Sequence, residues 1–136
     1  MAEGDFPDTE AGMKAFLKAD AGVSALVGSR VFFGSPKQGA TLPYIAFARI
    51  GGGDDTSEAP IDNAVLNLSC WGRSKEEAFS VANAARKALH NIRRRTLASG
   101  VDLHGAIVDT VLWSPDPQDD TPRYIVTTRV TATAAA

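Results

Sequence analysis

Cys70, His90 and His104 are the side chains of this 136-residue sequence best suited to nucleophilic or metal chemistry, and their spacing supports neither. A zinc site needs an HExxH pair or His and Cys partners at fixed offsets, and neither histidine has them, so both read as solvated or hydrogen-bonded side chains. Cys70 stands in the middle of an apolar stretch, where burial raises a thiol's pKa and suppresses the thiolate that nucleophilic attack requires. Gly51-Gly52-Gly53 resembles a phosphate cradle, but it lacks the lysine of a G-x-x-x-x-G-K-[ST] loop, opens no helix and runs into acids that would repel phosphate. The carboxylates gather in two polar stretches with no buried partner to split their pKa values into an acid and a base. Arg93-Arg94-Arg95, with Lys87 and His90, could contact phosphates. Cations in the last turn of a helix also offset its negative end, and no aromatic platform is interleaved with them, so the structural role is the stronger reading. The sequence therefore predicts no catalytic residue, no cofactor-binding residue, no metal ligand and no cofactor, and the chain reads as a non-enzyme.

The bulk composition agrees with that restraint. With 44% hydrophobic residues the chain suits one domain with a real core, and 14 Lys and Arg against 16 Asp and Glu leave a net charge of -2. Such a balance creates no positive field for gripping the outside of nucleic acid, although DNA could slide past an acidic surface. One cysteine makes neither an internal disulfide nor a thiolate cluster, which suits assembly in a reducing cytoplasm. Met1 to Asp8 lacks the basic and apolar parts of a secretory signal, and no run of 18 apolar residues occurs, so a soluble chain with no membrane partner is expected.

The hydrophobic periods place the elements. Thr9 or Asp8 caps a helix bearing Met13, Phe16 and Leu17, and Asp20 opens a second turn through Ala25, Leu26 and Val27 that Gly28 ends. Arg30 to Phe33 is a short strand, Pro43 to Ile50 a second, and the polar stretch from Gly51 to Pro60 a hairpin loop. A third strand runs from Asn63 to Gly72. Ser74 and Glu77 then form an S-x-x-E capping box ahead of a helix whose stripe is Ala78, Phe79, Val81, Ala82, Ala85, Leu89 and Ile92. Ser99-Gly100 precedes a long strand from Val101 to Trp113, bent at Gly105, and an alternating strand from Tyr124 to Thr131 closes the fold behind a Pro- and Asp-rich loop. The expectation is an α+β fold with a single domain: a mostly antiparallel four- to five-stranded sheet with the long helix and the N-terminal helix packed on one face. Its limits are a flexible N-terminal arm at 1–8, the domain at 9–133 and a frayed tail at 134–136.

Two helices cover one face of such a sheet but hardly both. Side chains alternate across a strand, so Ile45 and Phe47 oppose Tyr44, Ala46, Ala48 and Ile50, and Val65 and Trp71 oppose Ala64, Leu66, Leu68 and Cys70. Burying one aliphatic or aromatic side chain is worth roughly 1.5 to 3 kcal/mol, so a surplus apolar face calls for another subunit. Ile45, Phe47, Val65, Trp71 and Trp113 are the interface candidates. Each tryptophan lies at a strand end and could equally close the core or anchor a partner.

Leu42-Pro43-Tyr44-Ile45, the strand Val65 to Trp71, and the helix from Glu77-Ala78-Phe79 through Ala85-Arg86-Lys87-Ala88-Leu89 together resemble the tail completion, or tail terminator, family of long-tailed phages. Leu26-Val27-Gly28-Ser29-Arg30-Val31-Phe32 looks like that family's opening helix, Gly turn and Arg-Val-aromatic strand, and Arg123-Tyr124 opens a similar final strand, so the likeness spans about Met13 to Thr131. The resemblance implies a small structural subunit that forms a homo-oligomeric ring, usually a hexamer, on the last ring of the major tail-tube protein. That ring ends tube polymerisation and presents a surface to the head-completion or connector protein. It implies a place at the head-proximal end of the virion tail, reached from the host cytoplasm, with DNA a partner only in transit through the channel. Gene transfer agents have similar tails. On this reading Asp54, Asp55 and Glu58 line or rim the channel, the alternative being a solvated hairpin tip, and Asp116, Asp119 and Asp120 contact the tube or the connector, the alternative being a plain surface loop. The alternatives are a head-to-tail neck protein and, from another class, a small-molecule-binding or enzymatic α+β oligomer.

Overall fold

A computed structural model describes residues 6–34, 39–54, 61–92, 96–98 and 100–134. Three helices, α1 (Thr9–Ala19), α2 (Ala21–Val27) and α3 (Lys75–His90), accompany six strands: β1 (Val31–Phe33), β2 (Tyr44–Asp54), β3 (Asp62–Trp71), β4 (Thr96–Ala98), β5 (Val101–Trp113) and β6 (Arg123–Ala134). The strands form one open sheet in the order β1-β2-β3-β6-β5-β4. Only β1 and β2 run parallel. The α+β class and the mostly antiparallel sheet are as the sequence predicts, with one strand more: β4, to whose residues the sequence reading gave no element, pairs with the start of β5.

The helices form where the capping residues stand. The Asp8 carboxylate accepts the Ala11 N–H and the Asp20 carboxylate the Val23 N–H, so two acids open α1 and α2. At α3 the Ser74 hydroxyl accepts the Glu77 N–H at 3.1 Å. Glu77 does not complete a reciprocal box with Ser74. It reaches one residue further back, accepting the Arg73 N–H at 2.8 Å and the Arg73 guanidinium at 2.7 Å. The hydrogen bond from the Arg73 side chain, joined by that backbone N–H, holds the Glu77 carboxyl down at about 2. A carboxyl lowered in the folded state adds stability that is complete above its ordinary value of 4.5 and disappears as the pH falls towards about 2. Stability of the Glu77→Gln variant should therefore change less across that acid window than the parent's. Ser74→Ala should lose about 1 kcal/mol at neutral pH, read from urea midpoints.

Alanines at 78, 82, 85 and 88, with Val81 and Leu89, line the buried face of α3 and let it sit close on the sheet. Phe79 falls outside that stripe, contrary to the sequence reading, and lies half exposed with its ring 5.4 Å from Tyr124. The core is a single cluster in which Met13, Leu17, Val23 and Val27 meet Ile45, Phe47, Leu66, Leu68, Val126 and Leu103. All three helices therefore cover one face. α1 touches β1 at one side of the sheet and β4 and β5 at the other.

Two glycines permit close approaches that a side chain would prevent. A Cβ on Gly72 would stand 2.5 Å from the Ala78 backbone nitrogen, so the glycine is what lets β3 turn directly beneath the first turn of α3. The Gly51-Gly52-Gly53 run, expected as loop, instead continues β2 past a bulge between Arg49 and Gly51. Gly52 has φ +91°, and a Cβ there would lie 1.9 Å from the Asn63 carbonyl oxygen. Glycine content marks a crossing of two backbones here, and the strand survives because no other residue type could make it.

Candidate assembly surfaces

The residues with chemical potential stay apart. Cys70 is fully buried, and burial pushes its thiol up to about 12, so it is a core side chain. His104 meets the Thr133 hydroxyl at 2.8 Å, and His90 is exposed at the end of α3. Among the described residues no three His, Cys, Asp or Glu side chains are placed to hold a metal, and no helix is long and apolar enough to cross a membrane. Arg93, Arg94 and Arg95 lie outside the described residues, as do Asp55 and Glu58.

The predicted interface residues divide between the two faces. Ile45 is 0% and Phe47 1% exposed, both beneath the helices, so they are core residues and not subunit contacts. The alternation had been assigned correctly, but the face with Ile45 and Phe47 is the one the helices cover. Val65 is half-buried on the open face, where it pairs with Arg129. Trp71 is also covered within the chain: its ring lies 5.7 Å from Tyr44, and the Arg123 guanidinium sits 4.9 Å over it. Trp113 keeps 37% of its surface exposed at the end of β5, with the Lys75 ammonium 4.8 Å above its ring.

The open face is less apolar than the sequence suggested. Between β3 and β6 it carries a polar ladder in which Thr127 donates to the Asn67 side-chain oxygen at 2.7 Å and Thr131 to that of Asn63 at 3.0 Å. Arg129 pairs with Asp109 across the next strand at 3.1 Å. The largest group of exposed apolar side chains lies instead on β5, at Ile107, Val111, Leu112 and Trp113, with Phe79 beside it, and others stand apart at Ile50 on β2 and at Phe33 on β1. Ile107 and Leu112 were not among the interface candidates, because the sequence reading placed them only within a long strand. Their position beyond β4, which pairs only with Val101 to Leu103, leaves them at an edge.

Acidic groups mark two further places. Asp54 closes β2 opposite Asp62. Asp62 itself is fully buried and takes a two-pronged ion pair from Arg49, at 2.5 and 2.6 Å, together with the Thr9 hydroxyl at the start of α1. That cluster ties α1 to the loop end of the β2–β3 hairpin. Sequence reading missed it, since an Arg and an Asp 13 residues apart carry no local signal. In the loop between β5 and β6, the Asp116 carboxylate accepts the Gln118 N–H, and the Asp119 carboxylate accepts both the N–H and the hydroxyl of Thr121. The Thr121 hydroxyl bond lowers the Asp119 carboxyl below its ordinary value. Tyr44 lies near this loop, and its phenol is raised by burial and then by the charges of Asp116 and Asp119.

The fold is thus a small α+β sheet with one helix-covered face, one polar face and exposed apolar residues at its edges. The chain belongs to the tail completion protein gp17 family, whose model matches residues 11–133, and is a structural protein of phage-like tails. Its fold is similar to a chain in the virion of a native gene transfer agent particle, at TM-score 0.66 and 20% identity, over 94% of this chain and 98% of that one. It is also similar to the gp17 protein of bacteriophage SPP1, at TM-score 0.51 and 14% identity, over 90% and 86% of the two chains. At these identities the likeness is one of fold. No curated protein matches the sequence significantly.

Proposed function

We propose that this chain closes the head-proximal end of a phage-like tail tube as a ring of its own copies, six in the family's usual form, ending polymerisation of the major tail-tube protein and offering a docking surface to the head connector. The observation that carries this reading is the family match across residues 11–133, which reaches from within α1 to within β6 and spans every element between them. It is a non-enzymatic role, in keeping with contact surfaces and with a buried, protonated Cys70. Asp54, Asp55 and Glu58 rim the channel at the tip of the β2–β3 hairpin, where like charge keeps passing DNA from adhering. Asp116, Asp119 and Asp120, at the other end of the sheet, meet the tube or the connector. The ring assembles from chains made in the host cytoplasm and stays in the virion tail.

A purified system tests the capping step. Tube protein polymerised with increasing amounts of this chain should give progressively shorter tubes, each with the chain at one end. Tubes of unchanged length would contradict the reading.

A further inference from the structure

The sheet ends in two unlike edges that stand in the same row. Following the register across the strands, Phe33 pairs with Phe47, Phe47 with Leu68, Leu68 with Val126 and Val126 with Val111. The exposed Phe33 and the exposed end of β5 therefore close the two sides of one level of the sheet. At the β5 side, Val111, Leu112 and Trp113 lie beyond the reach of β4, and no described strand pairs with their outer edge. A long apolar edge with unpaired backbone groups is a template for another chain. Nearer the centre, Asp109 bulges out of the ladder and is held by Arg129, which separates those three residues from the exposed Ile107.

The charges at the two edges are opposite. The β5 edge runs directly into the loop with Asp116, Asp119 and Asp120, three acids against two cations, Lys75 over Trp113 and Arg123, which is turned to the Ser114 carbonyl and the Trp71 ring. At the β1 edge the Lys14 ammonium lies 4.6 Å over the Phe33 ring, and Lys18 follows one turn later on α1. The acids of that side are engaged locally, Glu10 with the Arg49 N–H and Asp20 with the Val23 N–H. One edge is thus apolar and acidic, the other aromatic and basic, which is charge complementarity between two different patches of the same chain.

We propose that the β5 edge of one copy, at Leu112 and Trp113 with the acidic loop that follows, docks against the β1 edge of the next copy at Phe33, Lys14 and Lys18. The contact is head-to-tail, and a head-to-tail contact between patches at one level closes into a ring when the rotation permits. It rests on the ring reading and specifies which surfaces make the ring.

The test uses particles whose only copy of this chain carries Phe33→Cys together with Leu112→Cys, treated with a short bismaleimide. Cys70 is fully buried and does not compete. The expected result is a ladder of linked copies ending at ring size, while each single variant remains monomeric. Linkage in either single variant would indicate a two-fold contact and overturn the proposal. Monomers alone, from particles holding a full complement of the chain, would overturn it as well while leaving the ring reading intact, because copy number per particle is counted separately. One copy per particle would sink both. As a second variant, Lys14→Glu with Lys18→Glu, checked for an unchanged melting temperature, should reduce incorporation into particles roughly tenfold. Undiminished incorporation would overturn the proposal.

Discussion

Replacing Arg49 with alanine should destabilise the isolated chain by about 3–5 kcal/mol, because it strands a carboxylate that has no route to water. Asp62 is 0% exposed, whereas the Arg49 side chain is 26% exposed, so the two partners are not equivalent. Without Asp62 the guanidinium can turn outward. Without Arg49 the carboxylate keeps, among the described residues, only the Thr9 hydroxyl. Asp62→Asn should accordingly cost less than Arg49→Ala, and Thr9→Val about 1 kcal/mol, the usual worth of one hydrogen bond. In thermal terms the Arg49 variant should melt roughly 10 °C or more below the parent, given the scaling of melting temperature with stability for chains of this size. A loss under about 1 kcal/mol in urea would show that the cluster is not what anchors α1 to the hairpin. The consequence extends to function, since Asp62 pairs with Asp54, the first of the proposed channel acids, at the loop end of the hairpin.

Local signals in the sequence mapped well onto the fold. Asp20, Gly28 and Ser74 act through backbone groups within a few residues, so the ends of α2 and the start of α3 could be read directly. The alternation in Ala64, Leu66, Leu68 and Cys70 gave the buried side of β3 for the same reason. What failed depends on distant partners. Which face of β2 the helices cover is decided by packing, so Ile45 and Phe47 were placed at an interface although they are core. The extension of β2 through three glycines depends on the approach of Asn63, and β4 depends on the start of β5. Asn63 and Asn67 were read as polar neighbours of Val65, but their pairing with Thr131 and Thr127 needed the strand order, with β6 beside β3. The family likeness, carried by the order of short motifs along the chain, was legible before any of these contacts, because order survives where pairwise contacts vary.

The largest functional effect should come from removing the chain altogether. If it caps the tube, nothing else in the assembly would report that the end has been reached, and growth would continue for as long as tube subunits remain. If the proposed contact between the β5 and β1 edges joins the copies into one cap, loss of the chain removes the whole device at once. The length distribution of tails in particles assembled without this chain, measured by electron microscopy, is therefore the most direct test. Headless tails of uncontrolled and often excessive length are the predicted result, whereas tails of normal length beside unjoined full heads would contradict capping and assign the chain to the neck.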